Sequence, residues 1–172
     1  MNVVFKEITD GESLQLLSEI SALIWREYYP ELIGSEQVEY MVDKFLSVPA
    51  MKKQIDEGYR FFFVQGGEEV LGYIGVQPRG EELFLSKLYL RKEYRGKGVF
   101  SGMLAFCENL ASELSLTSLS LTVNRGNTQS INVYLRKGFR ILREQKSDIG
   151  NGYYMDDFVM QKSPLTSKPE LM

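Results

Sequence analysis

The stretch LYLRKEYRGKGVFSGML, Leu88–Leu104, decides how this chain is read. It starts as an apolar strand, passes through a knot of charge and glycine, and resumes at Val99 and Met103 with the spacing of a helix that buries one face. A strand that delivers RGKG onto the first turn of a helix leaves backbone N–H groups without intrahelical acceptors. They lie at the positive end of the helix dipole, beside Arg95 and Lys97. Glycines at 96 and 98 permit a tight turn and let a phosphate approach the main chain with no Cβ in the way. The loop therefore reads as an anion site. Taken alone, the same residues also make an ordinary basic surface turn. A Walker loop is excluded because Gly98, not Ser or Thr, follows Lys97. A dinucleotide Rossmann unit is excluded because no G-x-G-x-x-G opens the chain and no regular βαβ alternation follows.

Around this stretch the chain alternates between the two periodicities of secondary structure. VVFKEIT predicts a first strand, Asp10 caps a helix that ends near Pro30, and the apolar spacing after Ser35 predicts a second helix reaching toward Ile55. YRFFFVQ and EVLGYIGVQP are two strands joined at Gly66-Gly67, and ELFLSKLYLR is the strand that feeds the glycine loop. The long helix after Val99 is followed by the strand TSLSLTVN and a short helix running from an Asn127 or Thr128 cap to a stop at Gly138. Two final strands flank a turn between Asp148 and Gly152. The expected fold is α/β (α+β): a single domain over residues 1–162 with about seven strands in a mixed, mostly antiparallel sheet and about four helices on its faces. Residues 163–172 read as a loose tail.

Composition limits the chemistry. The 172 residues are 44% hydrophobic, enough for one core, and carry a formal charge of −3 with acids and bases interspersed. That balance gives no reason to expect a nucleic-acid partner. The amino-terminal MNVVFKEITD brings lysine and acids too early for a signal peptide, and no apolar run has membrane-spanning length. With one cysteine, Cys107, in an apolar helical pattern, a disulfide framework is excluded and a reducing, cytoplasmic setting is expected. The chain contains no histidine, which removes the commonest general base, serine–histidine pairs and the usual zinc ligand sets. No metal is expected, so the chemistry falls to Tyr, Glu, Asp, water or backbone.

Two motifs carry a family resemblance. Leu88-Tyr89-Leu90 followed by KEYRGKG resembles the strand–loop–helix motif [QR]-x-x-G-x-[GA] of the GCN5-related N-acetyltransferase (GNAT) family, with Arg95 and Gly98 in place. Downstream, NTQSINVYLRKGF resembles the family's N-x-x-[AS]-x-x-x-Y-x-x-x-G-F, with Asn127, Ser130, Tyr134, Gly138 and Phe139 matching. The resemblance extends from the first strand to about Lys162. One departure stands out: Phe100 occupies the position of the final Gly or Ala, and its ring is expected on the helix's apolar face with its amide still available.

The resemblance implies an acetyl-CoA-dependent N-acetyltransferase in which the two central strands splay apart. The pantetheine arm then pairs with main chain of Leu88, Tyr89 and Leu90, the pyrophosphate sits on amides of Gly96, Lys97, Gly98, Val99, Phe100 and Ser101 beside Arg95, and Asn127 and Ser130 contribute from the second motif. It also implies direct attack by an amine, with Tyr134 as the general acid toward the departing thiolate. It names no base, since Ser86 and Lys87 stand on the strand where some relatives carry an acidic one; Glu82, Asp156 and Asp157 remain candidates. By the same resemblance the acceptor meets the loop between the first helices and the last two strands. Tyr28, Tyr29, Tyr40, Tyr154 and Asp156 are the residues there that suit a protonated amine, either a small molecule such as a polyamine or a peptide amine. The rivals are a noncatalytic acyl-CoA-binding module and a transferase of another acyl group; a homodimer is left open.

Overall fold

The computed structural model describes residues 2–165, so most of the expected tail lies outside the described residues. β1 (Val3–Glu7) leads to Asp10, whose carboxylate accepts from the Ser13 amide at 2.7 Å and caps α1 (Gly11–Tyr28). The helix buries Leu14, Leu17, Ile24 and Trp25, the three- and four-residue spacing of a single face.

Two prolines correct the expected helix count. Pro30 opens a single further turn, α2 (Pro30–Ile33). The helix expected from Ser35 toward Ile55 is divided into α3 (Ser35–Leu46) and α4 (Val48–Asp56) at Ser47, whose backbone is extended and whose hydroxyl accepts from the Ala50 amide. Pro49 lacks the N–H that a continuing helix requires but fits the first turn of a new one. With α5 (Val99–Glu113) and α6 (Thr128–Arg136), six α-helices stand among the described residues where about four were expected.

The remaining strands are β2 (Arg60–Gly66), β3 (Glu69–Arg79), β4 (Glu82–Leu90), β5 (Ser118–Asn124), β6 (Arg140–Gly150) and β7 (Tyr153–Lys162). They form one seven-stranded sheet in the order β1-β2-β3-β4-β5-β7-β6. β1–β2, β2–β3, β5–β7 and β6–β7 are antiparallel. β4 and β5 are parallel, and their ladder holds only Glu82–Phe84 against Ser118–Ser120. Gly72 on β3 is fixed by a close approach, because a Cβ there would stand 2.1 Å from the Tyr89 carbonyl oxygen.

The described residues fall into two compact units. One is built from the chain up to Gln77 together with Ser86–Leu104, and its core includes Leu17, Ile24, Leu46, Met51, Phe61, Leu71, Tyr73 and Ile74. The other joins Pro78–Leu85 to the chain from Ala105 onward, around Leu83, Cys107, Ala111, Leu119, Leu121 and Met160. Cys107 has no exposed surface, and burial, with the Glu108 charge beside it, pushes its thiol up to about 12. Among the described residues no helix is long and apolar enough to cross a membrane.

Candidate active site

In the first unit, β4 passes through a 3-10 turn at Lys92–Tyr94 into the glycine loop. Gly96 and Gly98 lie at φ +74° and +81°, the left-handed region that a side chain resists. Val99 then begins α5. Among the described residues the amides of Gly96, Lys97, Gly98 and Val99 have no hydrogen-bond acceptor. A Cβ built on Gly96 or Gly98 would meet no atom within 4 Å, so the Cβ side of both glycines is open. Lys97 is exposed, and Phe100 is half-buried.

Arg95 turns back on the strand. Its Nε and Nη2 donate to the Leu90 carbonyl at 3.2 and 3.0 Å, and its guanidinium lies 5.1 Å above the Tyr28 ring. The side chain thus braces the end of β4 while leaving a positive charge at the loop. Beside it, Tyr29 packs edge-on against Tyr28 and shares a 2.7 Å hydroxyl–hydroxyl hydrogen bond with Tyr89. Beneath Tyr89, the Trp25 Nε1–H donates to the Tyr73 hydroxyl at 3.0 Å. Tyr73 is fully buried, and loss of solvent drives its phenol well above the ordinary value.

Lys87, two residues before Tyr89 on the same strand face, is 6% exposed. Its Nζ donates to Gln54 Oε1 at 3.3 Å and lies 5.3 Å from the Phe61 ring centre, and among the described residues no carboxylate pairs with it. Desolvation lowers its ammonium from 10.5 to about 8.

In the second unit, Asn127 is buried and caps α6 by accepting from the Ser130 amide at 3.2 Å, while its own amide donates to the Asn124 carbonyl. Tyr134 follows on the same helix, half-buried, its ring set edge-on against Phe139 at 5.4 Å. Gly138 lets the chain reverse so that the Phe139 amide donates to the Tyr134 carbonyl. The matched motif residues thus share a structural logic: the asparagine starts the helix, and the glycine and phenylalanine fold back to orient the tyrosine.

The candidate bases separate by their partners. Glu82 accepts from Gln161 Nε2 at 3.3 Å. Asp156 is held by Arg125 at 3.0 Å, and Arg125 also pairs with Glu144. Asp157 is 5% exposed and, among the described residues, has no hydrogen-bond donor and no ion pair. Burial, with the neighbouring Asp156 charge, raises its carboxyl to about 6.

Of the expected acceptor residues, Tyr28 and Tyr29 gather with Tyr89 and Arg95. Tyr40 takes the Lys44 ammonium at 5.6 Å on its own helix, and the exposed Tyr154 takes that of Lys146 at 4.8 Å. The isolation of Lys87 and Asp157 had not been foreseen. Lys87 follows buried Leu83 and Leu85 on one face of β4, a pattern visible in the sequence; nothing in DDF distinguishes the paired carboxylate from the unpaired one. Among the described residues no cluster of three or more metal-ligating side chains occurs.

The model of the acetyltransferase (GNAT) family matches residues 17–139. The chain is similar to a spermidine N(1)-acetyltransferase of Thermoplasma acidophilum, 23% identical over 157 residues that cover 88% of this chain and 91% of the relative. In fold it resembles the PaiA N-acetyltransferase of the same organism, solved in complex with coenzyme A, with a TM-score of 0.77, 21% identity and coverage of 95% and 99% of the two chains. A GCN5-related N-acetyltransferase structure from Rhodopseudomonas palustris gives a TM-score of 0.78 at 14% identity, over 95% and 96% of the chains.

Proposed function

The chain belongs to the GNAT acetyltransferase family, and from that premise we propose that it moves an acetyl group from acetyl-CoA to a primary amine, either a polyamine-like small molecule or a peptide amine. The observation that carries the reading is the run of unclaimed amides from Gly96 to Val99, with the Cβ side of both glycines open and the helix dipole behind. A diphosphate fits such a cradle because it needs several main-chain donors at once, and Gly96 and Gly98, at positive φ, put no Cβ beside them.

In this reading the main chain of Leu88 and Leu90, beyond the end of the short β4–β5 ladder, offers an edge along which an extended diamide pairs as an added strand. Arg95 keeps that edge in place through the Leu90 carbonyl. Acetyl-CoA, when bound, supplies a thioester already activated for acyl transfer, so the protein's contribution is chiefly orientation of the reactants. Tyr134 is the proposed general acid, its hydroxyl proton going to the departing thiolate. A phenol near pKa ~10 and a thiol near ~8.5 are close enough that a hydrogen bond tightening in the transition state does much of the work. The polyamine-type acceptor is supported by the named activity of the spermidine N(1)-acetyltransferase relative and by Tyr28 and Tyr29, which gather with Tyr89 in the first unit. A cytoplasmic location is supported by the single buried thiol.

The test is mass-spectrometric detection of acetylated products from a panel of polyamines, amino acids, aminoglycosides and peptides supplied with acetyl-CoA, alongside calorimetric titration with CoA. Acetylation of a primary amine with CoA binding is the expected result; no CoA binding at saturating concentrations overturns the reading.

A further inference from the structure

We propose that Asp157 is the carboxylate that receives the acceptor's ammonium and takes up its proton, an inference that rests on the amine-acetyltransferase reading. Asp157 stands inside β7 with Asn124 of β5 and Gln145 of β6 as its register partners. Both are uncharged, and each turns a polar atom elsewhere: Asn124 Oδ1 to the Gly126 amide at 2.8 Å, and Gln145 Nε2 toward the Ser147 hydroxyl at 3.5 Å. Of the nearby cations, Arg143 stands opposite Val159, two residues along the same face, and is exposed without an ion pair to Asp157. Arg125 is held by Asp156 and Glu144, and Lys146 by the Tyr154 ring. Among the described residues the one charge that shifts Asp157 is that of Asp156, which repels an anion.

A carboxylate 5% exposed and without a donor is costly to keep ionised. What it lacks, among the described residues, is a paired cation. A primary ammonium supplies one, with three N–H donors for oxygens that have none. Asp157 is also tied to the second motif, since the Arg125 amide donates to the Asp156 carbonyl and Asn124 leads directly to the Asn127 cap of α6. The carboxyl at about 6 is mostly ionised at neutral pH, yet more basic than an exposed aspartate.

The proton balance is complete. R–NH3+ gives one proton to the Asp157 carboxylate, directly or through one water, and becomes R–NH2. The nitrogen lone pair forms the N–C bond as the C–S bond breaks. The thiolate takes its proton from Tyr134, which is restored by the second nitrogen proton, and Asp157 releases its own to solvent.

The experiment compares wild type with Asp157→Asn and Asp157→Glu, using acetyl-CoA and spermidine from pH 5 to 9.5. In wild type, kcat/KM for spermidine should fall on the acid side with a midpoint near 6. Asp157→Asn should lose that limb and about 100-fold or more of kcat/KM at pH 8, with the calorimetric CoA affinity unchanged. Spermidine binding to the CoA-loaded protein should weaken at least about tenfold, and Asp157→Glu should recover part of both losses. An Asn variant that keeps wild-type spermidine affinity, or an unchanged acid limb in an active enzyme, overturns the role of Asp157 alone. Wild type that binds CoA and acetylates no amine overturns the transferase reading, and this assignment with it.

Discussion

Lys87→Met tests whether the buried ammonium on β4 burdens the fold. The wild-type pKa falls from 10.5 to about 8, and at about 1.4 kcal/mol per pH unit the folded state disfavours the charged form by about 3 kcal/mol. A depressed folded value means that the folded chain holds this proton less tightly than the unfolded chain. The stability from this group is therefore complete above pH 10.5, lost as the pH falls toward about 8, and absent below. Methionine removes the linkage. It also removes the 3.3 Å hydrogen bond to Gln54 and the charge over Phe61, together about 1–2 kcal/mol. At pH 7 the variant should be more stable by about 1–2 kcal/mol, a Tm gain of about 4 °C for a chain of this size. Between pH 7 and pH 10 that advantage should shrink or reverse, by about 2–3 kcal/mol. Urea unfolding followed by the fluorescence of Trp25 measures both quantities. A stability difference that is flat from pH 7 to pH 10 refutes the desolvation argument, because it requires the ammonium to be as well solvated folded as unfolded.

Tyr134→Phe should lower kcat by about 100-fold or more while CoA affinity by calorimetry stays level; unchanged turnover refutes the acid role. Gly98→Val forces a β-branched residue to φ +81°, a strain of about 1–2 kcal/mol. Its far-UV circular dichroism should match wild type while CoA binding weakens more than about tenfold, and equal affinity counts against the loop. Gly72→Ala places a Cβ 2.1 Å from the Tyr89 carbonyl oxygen, so the backbone must shift. A loss of at least about 3 kcal/mol in urea unfolding is expected, and a loss under 1 kcal/mol would show that the approach of β3 to β4 relaxes freely.

Elements whose signals are local were legible in the sequence. Asp10 caps α1, Asn127 caps α6, Gly138 ends it, and the seven strands stand where alternation and turn residues put them, except that β6 runs on through Asp148 to Gly150 into the expected turn. Prolines were misjudged because the same residue that stops one helix begins another, and only the cap at Ser47, extended with its hydroxyl on the Ala50 amide, decides which. The open amides of the glycine loop were legible because glycine spacing and a helix start dictate them. The state of the carboxylates was not: Asp156 and Asp157 are adjacent and chemically identical, and their difference arises from Arg125, thirty-odd residues away in sequence, reaching one and not the other. Solvation and pairing of charge belong to the folded arrangement, beyond the reach of residue type.

The sealed thiol of α5 has a practical consequence. At neutral pH a group titrating near 12 exposes almost no thiolate, and with no accessible surface it offers a disulfide reagent no approach. Cys107 therefore serves as a built-in clock: its modification rate divided by that of the denatured chain counts how often the helix lifts off its sheet. Repeating that count with and without CoA would report, through one native atom and no added label, how far ligand binding quiets the second unit.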